Sequence, residues 1–449
     1  MSRFFVRGTI LQAASPTLLE IREDSLLEII DGVIIGVYKA TARADILSDK
    51  SLDVLKLSEG TYLLPGLIDC HIHAPQWPQL GIGLDIPLER WLFEYTFPLE
   101  SRFREVDYAH RVWREMVPSL LSEGTTTAVY YSSIHNDATS ALAQTCLEFG
   151  QRAFVGRVAM DCKDGTPEYY RDPSSSEGIA LSRESINSIK SLDAGRGLVF
   201  PIITPRFTPA CSDSLLIGLG NLAMETYTRV QTHCSESDWE HETALDRFGV
   251  SDTSALKNFN LLQKNTVLAH CNHTDTYDWD TMLVHGAGIA HCPLSNAYFA
   301  GAILPVRRIL EHGLNVGLGT DISGGSDPSI LAQCEHALNA SKILEFGVDS
   351  KKSQSTRGVS KSSVDVVAAF WMATRGAANL LGLNIGKLDI GMPFDAISVR
   401  DLGTAHGTVL ESNENLILKV LERILRRSRR SQVLDVWVAG TRVSGANVT

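Results

Sequence analysis

The stretch LLPGLIDCHIHAPQW, residues 63–77, ends an apolar run with two histidines one residue apart and follows them with proline and glutamine. An apolar run of this kind reads as a strand buried on both faces. Alternate residues of a strand share a face, so His71 and His73 point the same way and Ile72 points away. Two imidazoles so placed can bind one metal ion.

Seven further runs of similar character follow: TTAVYYSS (126–133), AFVGRVAMD (153–161), LVFPIITPR (198–206), RVQTHCSE (229–236), TVLAHC (266–271), GIAHCP (288–293) and NVGLGTD (315–321). The stretches between them suit helices, the rhythm of repeated βα units. Eight such runs, over a span close to the ~250 residues typical of the architecture, predict a (β/α)8 TIM-like barrel of class α/β rather than a doubly wound sheet.

DPSILAQCEHALNASKILEFG (327–347) and VDVVAAFWMATRGAANLLGL (364–383) read as helices that complete the barrel, with an exposed, mobile polar loop, SKKSQSTRGVSKSS (350–363), between them. The first 60 residues are short β-like runs, and GMPFDAISVRDLG (391–403) and VLDVWVAGTRVSG (433–445) read as strands again. The two chain ends are therefore expected to form a small β-sandwich module, with 1–62 and 389–449 contributing to it and 63–388 forming the barrel. LILKVLERILRRSRR (416–430) has helical spacing and a basic face, and reads as a packed helix with a solvated side.

Reactive side chains fall at the C-terminal ends of the predicted barrel strands, where such folds carry their chemistry. His71 and His73 close the first, Arg206 the fourth, His233 and Glu236 the fifth, His270 the sixth and Asp321 the eighth. His233 and Asp321 complete a nitrogen and oxygen ligand set with His71 and His73, leaving a position for water. Glu236, three residues beyond His233, is placed to move protons without ligating the ion, and His270 to orient the attacking water. Zinc and iron both accept this set.

Composition narrows the partners. A net charge of −11 over 449 residues argues against nucleic acid. The chain has no apolar stretch long enough to cross a bilayer, and Arg7 and Gly8 interrupt the start MSRFFVRGTIL, so the expected address is cytoplasmic and no membrane partner is expected. Eight cysteines without a CxxC pair read as reduced, buried thiols. There is no Walker A loop, and the paired HxE and PCxxC motifs of the cysteine-ligated zinc deaminases are absent.

PGLIDCHIHAPQ, PLERWLFEYTFPLESRF (87–103), TPRFTPACS, THCSE, AHCPLSN and GLGTDISGG together resemble the guanine deaminases, a family within the metal-dependent amidohydrolase superfamily, from about residue 60 to 330. The HxH, HxxE and TD elements are shared across the superfamily; HAPQ, the 87–103 segment and the Arg206–Phe207 pair are more specific. The resemblance implies one Zn2+ per chain at His71, His73, His233 and Asp321, with Arg206 standing where binuclear relatives carry a bridging lysine.

It also implies a substrate pocket containing Gln76, Arg206, Phe207, His233 and Glu236, a small-molecule purine substrate, and a homodimer. A guanidinium fork matches the O6 and N7 acceptors of guanine, an amide such as Gln76 can donate and accept at the other edge, and Phe207 or Trp77 can cover a ring face. The alternative role for Arg206 is a structural salt bridge, and for Trp77 core packing.

The implied reaction is hydrolytic deamination: activated water attacks C2, Glu236 carries the proton to the ring nitrogen and then to the amino group, Asp321 ligates and accepts a proton, and ammonia leaves. Leu294 and the stretch NAYFAGAILPV (296–306) depart from the family pattern and predict a changed pocket rim. The competing readings are an aminohydrolase for another purine or a pterin, such as 8-oxoguanine, and a non-catalytic scaffold, which should have lost its ligands.

Overall fold

The computed structural model describes residues 2–401 and 416–445. Eight short parallel segments run as expected: Leu67–His73, Thr125–Tyr131, Arg152–Gly156, Val199–Pro201, Gln231–Cys234, Val267–His270, Gly288–His291 and Val316–Leu318. The first four and the last four each pair in sequence order. Backbone hydrogen bonds close both seams. Ile203 N–H donates to the Arg229 carbonyl at 2.8 Å and Gln231 N–H to the Ile203 carbonyl at 2.9 Å; opposite, Asp321 N–H donates to the His71 carbonyl at 2.8 Å and His73 N–H to the Ile322 carbonyl at 3.0 Å. The second seam sets Asp321 beside the two leading histidines.

The run 63–73, read as one strand, is two. Thr61–Pro65 joins the sheet built from the chain ends, and Leu67–His73 begins the barrel. Gly66 makes the break: a Cβ there would lie 2.2 Å from Thr126 Oγ1, and its N–H bonds the Asp395 carbonyl at 2.9 Å. The predicted helix 364–383 is likewise two, Val366–Ala373 and Arg375–Leu380, separated at Thr374, whose backbone is not helical.

The terminal module is present as one hydrogen-bonded sheet. Its order is Thr441–Gly445, Val433–Val438, Ala396–Arg400, Thr61–Pro65, Arg3–Ser15, Leu18–Ile30 and Val33–Lys39, with Val54–Lys56 also beside Arg3–Ser15. A buried ion pair between Arg152, at the start of the third barrel strand, and Asp395 ties the module to the barrel. Leaving either partner alone there would strand a charge in a low-dielectric environment.

Helix Leu416–Arg427 buries Val420, Leu421, Ile424 and Leu425, the packed face expected of it. In the polar segment 350–363, a short turn at Gln354–Arg357 is followed by three backbone N–H groups, of Lys361, Ser362 and Ser363, that converge on the Glu345 carboxylate. All eight cysteines are free and seven are buried. Among the described residues no helix is long and apolar enough to cross a membrane.

Candidate active site

The C-terminal ends of the barrel strands bring together His71, His73, His233, Glu236, His270 and Asp321, with Gln76, Arg206 and Phe207 beside them. His71 and His73 end the first strand with their rings 4.9 Å apart. His71 Nε2 lies 3.0 Å and His73 Nε2 3.5 Å from Asp321 Oδ1, and His73 Nε2 is 3.0 Å from His233 Nε2. His270 Nε2 sits between two carboxylates, 3.7 Å from Glu236 Oε1 and 3.8 Å from Asp321 Oδ2. Ligand atoms of His71, His233, His270 and Asp321 all lie within 4.8 Å of one another.

The imidazoles are presented in a ligating form. Burial lowers the pKa of His71, and drives those of His73 and His233 well below the ordinary value. His233 Nδ1 is 2.6 Å from the Arg206 carbonyl, which can only accept, so Nδ1 carries the proton and Nε2 keeps its lone pair for the centre. For His270 the tautomer follows from a chain. The Glu236 carbonyl accepts from Asn272 Nδ2 (2.9 Å), Asn272 Oδ1 accepts from Asn296 Nδ2 (2.8 Å), and Asn296 Oδ1 then accepts from His270 Nδ1 (2.9 Å). Both ring nitrogens of His71 and Nε2 of His270 are buried without a hydrogen-bond partner. Buried orphans of this kind, arranged around a carboxylate, fit a cation such as zinc.

Four residues at the site have strained backbone. Asp321, His270, Cys271 and Ser235 all adopt positive φ, between 48° and 71°, which non-glycine residues rarely do. Gly324 lets the loop pass over the site, since a Cβ there would lie 2.7 Å from Asp321 Oδ2. Behind the histidines, Asp69 accepts from His71 N–H (3.1 Å) and from the Thr320 N–H and hydroxyl (3.0 and 2.5 Å), joining first and eighth strands.

A small cavity opens beside the cluster. It is lined by His73, His233, Asp321 and Glu236, by Gln76, Arg206 and Phe207, and by the apolar side chains of Leu88, Trp91, Leu92 and Phe299. Glu236 is buried; desolvation pushes its carboxyl up to about 7, with His270 and Arg206 opposing and Asp321 reinforcing the rise. A carboxyl poised there can both take and give a proton near neutrality. Burial also opposes ionisation of Asp321, but contact with His71 and the neighbouring His270 and His73 hold its carboxyl well below the usual range.

Sequence reasoning missed Glu100. It lies in the 97–101 helix, fully buried, and pairs with both nitrogen ends of the Arg206 guanidinium at 2.5 and 3.0 Å. It also accepts from Gln76 Nε2 at 2.9 Å, while Gln76 Oε1 accepts from Ser323 N–H at 3.0 Å. Arg206 therefore lines the cavity and forms the salt bridge weighed as its alternative. No spacing in the sequence marks Glu100, which is one carboxylate among 52 acidic residues. The π-helical turn Leu92–Thr96 preceding it, which shifts the helix register, is equally invisible to a pattern of period 3.6.

Phe207 faces the cavity, whereas Trp77 packs beside helix Val106–Ser122 and donates to Glu115. Leu294 lines a separate cavity with His291 and His336, so of the departing stretch it is Phe299 that shapes the site's rim.

Comparison with known proteins agrees with this geometry. The amidohydrolase family model matches residues 62–443. The chain is 35% identical over 448 residues to a probable guanine deaminase of Schizosaccharomyces pombe, covering 98% of this chain and 83% of that protein. It is 34% identical over 455 residues to the guanine deaminase of Homo sapiens, covering 97% and 96%. The crystal structure of guanine deaminase from C. acetobutylicum, with guanine bound in its active site, superposes with a TM-score of 0.87 at 28% identity, covering 98% of this chain and 100% of that one. The chain belongs to the amidohydrolase family.

Proposed function

We propose that the protein is a guanine deaminase, converting guanine and water to xanthine and ammonia. The observation that carries this reading is one cavity in which a buried His/Asp cluster and Glu236 face the Gln76 amide and the Arg206 guanidinium. The relatives named above and the guanine-bound structure support it.

In this reading His71, His73, His233 and Asp321 hold a zinc ion. His73 is favoured over His270 as the fourth ligand because its Nε2 lies 3.0 Å from His233 Nε2, whereas His270 Nε2 stands 3.7 and 3.8 Å from two carboxylates. Bound zinc would lower the pKa of water toward neutrality and so supply the nucleophile. Glu236 would carry one proton from the attacking water to the ring nitrogen and then the proton of the added hydroxyl to the amino group, so that the C2–N bond breaks, ammonia leaves and the C2–O bond becomes the carbonyl of xanthine. His270 holds the water through Nε2, its Nδ1 proton being committed to Asn296. Gln76 and Arg206 orient the purine edges and Phe207 covers a face.

Zinc rather than iron, a homodimer and a cytoplasmic address belong to the same proposal; the free, mainly buried thiols suit a reducing compartment. The test is ammonia release from guanine, 8-oxoguanine, pterin and cytosine, beside elemental analysis and light scattering. Guanine should be preferred at one zinc per chain. Preference for another ring would reassign the substrate, and neither metal nor ammonia would leave a scaffold.

A further inference from the structure

We propose that Glu100 is a specificity-determining positioning residue: by pairing with Arg206 and Gln76 it makes the recognition edge of the pocket charge-neutral, so that the site admits neutral purines and disfavours purine anions. The inference rests on the guanine deaminase reading above and deepens it.

The geometry leaves Glu100 little other role. Its carboxylate is buried and receives a bidentate pair from Arg206 together with Gln76 Nε2, yet it does not itself line the cavity. Arg206 uses one N–H of each terminal nitrogen on Glu100 and keeps its other donors for a ligand. Gln76 cannot flip, because its oxygen is held by the Ser323 N–H and its nitrogen by an acceptor-only carboxylate. One amide hydrogen and one oxygen lone pair remain free.

Charge decides what fits this edge. The neighbours of Arg206 are Glu100, the Phe97 ring 5.0 Å away, the phenols of Tyr131 and Tyr170, and Glu236 and Asp321 within the cavity. An unpaired guanidinium in such a low-dielectric pocket would attract anions strongly. Guanine is neutral near pH 7, but xanthine readily loses a ring proton there. A bare arginine would therefore retain the product better than the substrate. The Glu100 carboxylate cancels that attraction while leaving the donors in place.

The test compares wild type, Glu100→Gln and Glu100→Asp, with binding of urate, an anion at pH 7, and hypoxanthine, neutral at pH 7, measured by calorimetry on metal-loaded protein. Glu100→Gln should tighten urate relative to hypoxanthine by about tenfold or more. Glu100→Asp keeps the charge, so its urate-to-hypoxanthine ratio should stay at the wild-type value even where the KM for guanine rises. A merely structural role would weaken both ligands alike, and an unchanged ratio in Glu100→Gln overturns the proposal. Should that variant not fold, wild type alone decides: xanthine affinity must fall as xanthine ionises with rising pH, and a level or rising affinity overturns the proposal. The binding ratios do not depend on turnover, so failure to deaminate guanine would count against the parent reading separately.

Discussion

The Nε2 atoms of His73 and His233 lie 3.0 Å apart although the two residues end the first and fifth strands of an eight-stranded barrel. Nε2 of His233 carries a lone pair, so the gap is filled by a cation or by a proton on His73 Nε2, and the orphaned buried nitrogens of His71 and His270 beside it favour the cation. Chelation should therefore abolish activity and lower the melting temperature, and zinc should restore both; at a metal concentration a thousandfold over Kd the gain is ~4 kcal/mol. His73→Gln should lose most of its metal while His270→Gln keeps it and loses turnover, which elemental analysis of both variants checks.

Removing the carboxyl function of Glu236 leaves its shape. Glu236→Gln should reduce kcat by roughly 10²- to 10⁴-fold, the range for a positioned proton shuttle, with metal content unchanged. Near-normal ammonia release from this variant would remove Glu236 from proton transfer.

The chain from the Glu236 carbonyl through Asn272 and Asn296 to His270 can be broken at its middle. Asn296→Leu leaves the Asn272 oxygen and the His270 ring without their partners. Turnover should fall ~10- to 100-fold at near-normal zinc content, as for other residues that orient an active-site histidine. A steady-state assay against zinc stoichiometry separates this from loss of metal.

Gly66 sits where the module sheet hands over to the barrel. Gly66→Ala would drive a methyl group into Thr126, 2.2 Å from its hydroxyl oxygen, and should cost ~1–3 kcal/mol in chemical denaturation with little effect on KM.

Asp389 links the segment after the barrel to the first two strands of the module. Burial opposes its ionisation, but Lys387, Arg22 and Gln12 outweigh this and hold its carboxyl at about 2. Because the folded value lies below the ordinary 3.8, the contribution to stability is present above that pH and declines as the pH falls toward about 2. Asp389→Asn should destabilise by up to ~1 kcal/mol at pH 7, and the difference from wild type should narrow in urea titrations at pH 4 and 3.

Periodicity and the HxH, HxxE and TD motifs were enough to read the barrel, the helix Leu416–Arg427 and the side chains that meet in the His/Asp cluster, because a strand alternates its faces by geometry and a barrel collects its strand ends at one mouth. Two polar residues that line the cavity, Gln76 and Arg206, were also singled out from the sequence. What the sequence by itself left open was decided by contacts across long separations. Glu100 meets Arg206 106 residues away. The proton on His270 is set by two asparagines, Asn272 in the loop after the sixth barrel strand and Asn296 in helix Pro293–Phe299, and the break at Gly66 by a threonine on the neighbouring strand. Local pattern reports which face a residue shows; only the folded chain brings a buried carboxylate to a buried guanidinium, where pairing rather than propensity determines charge.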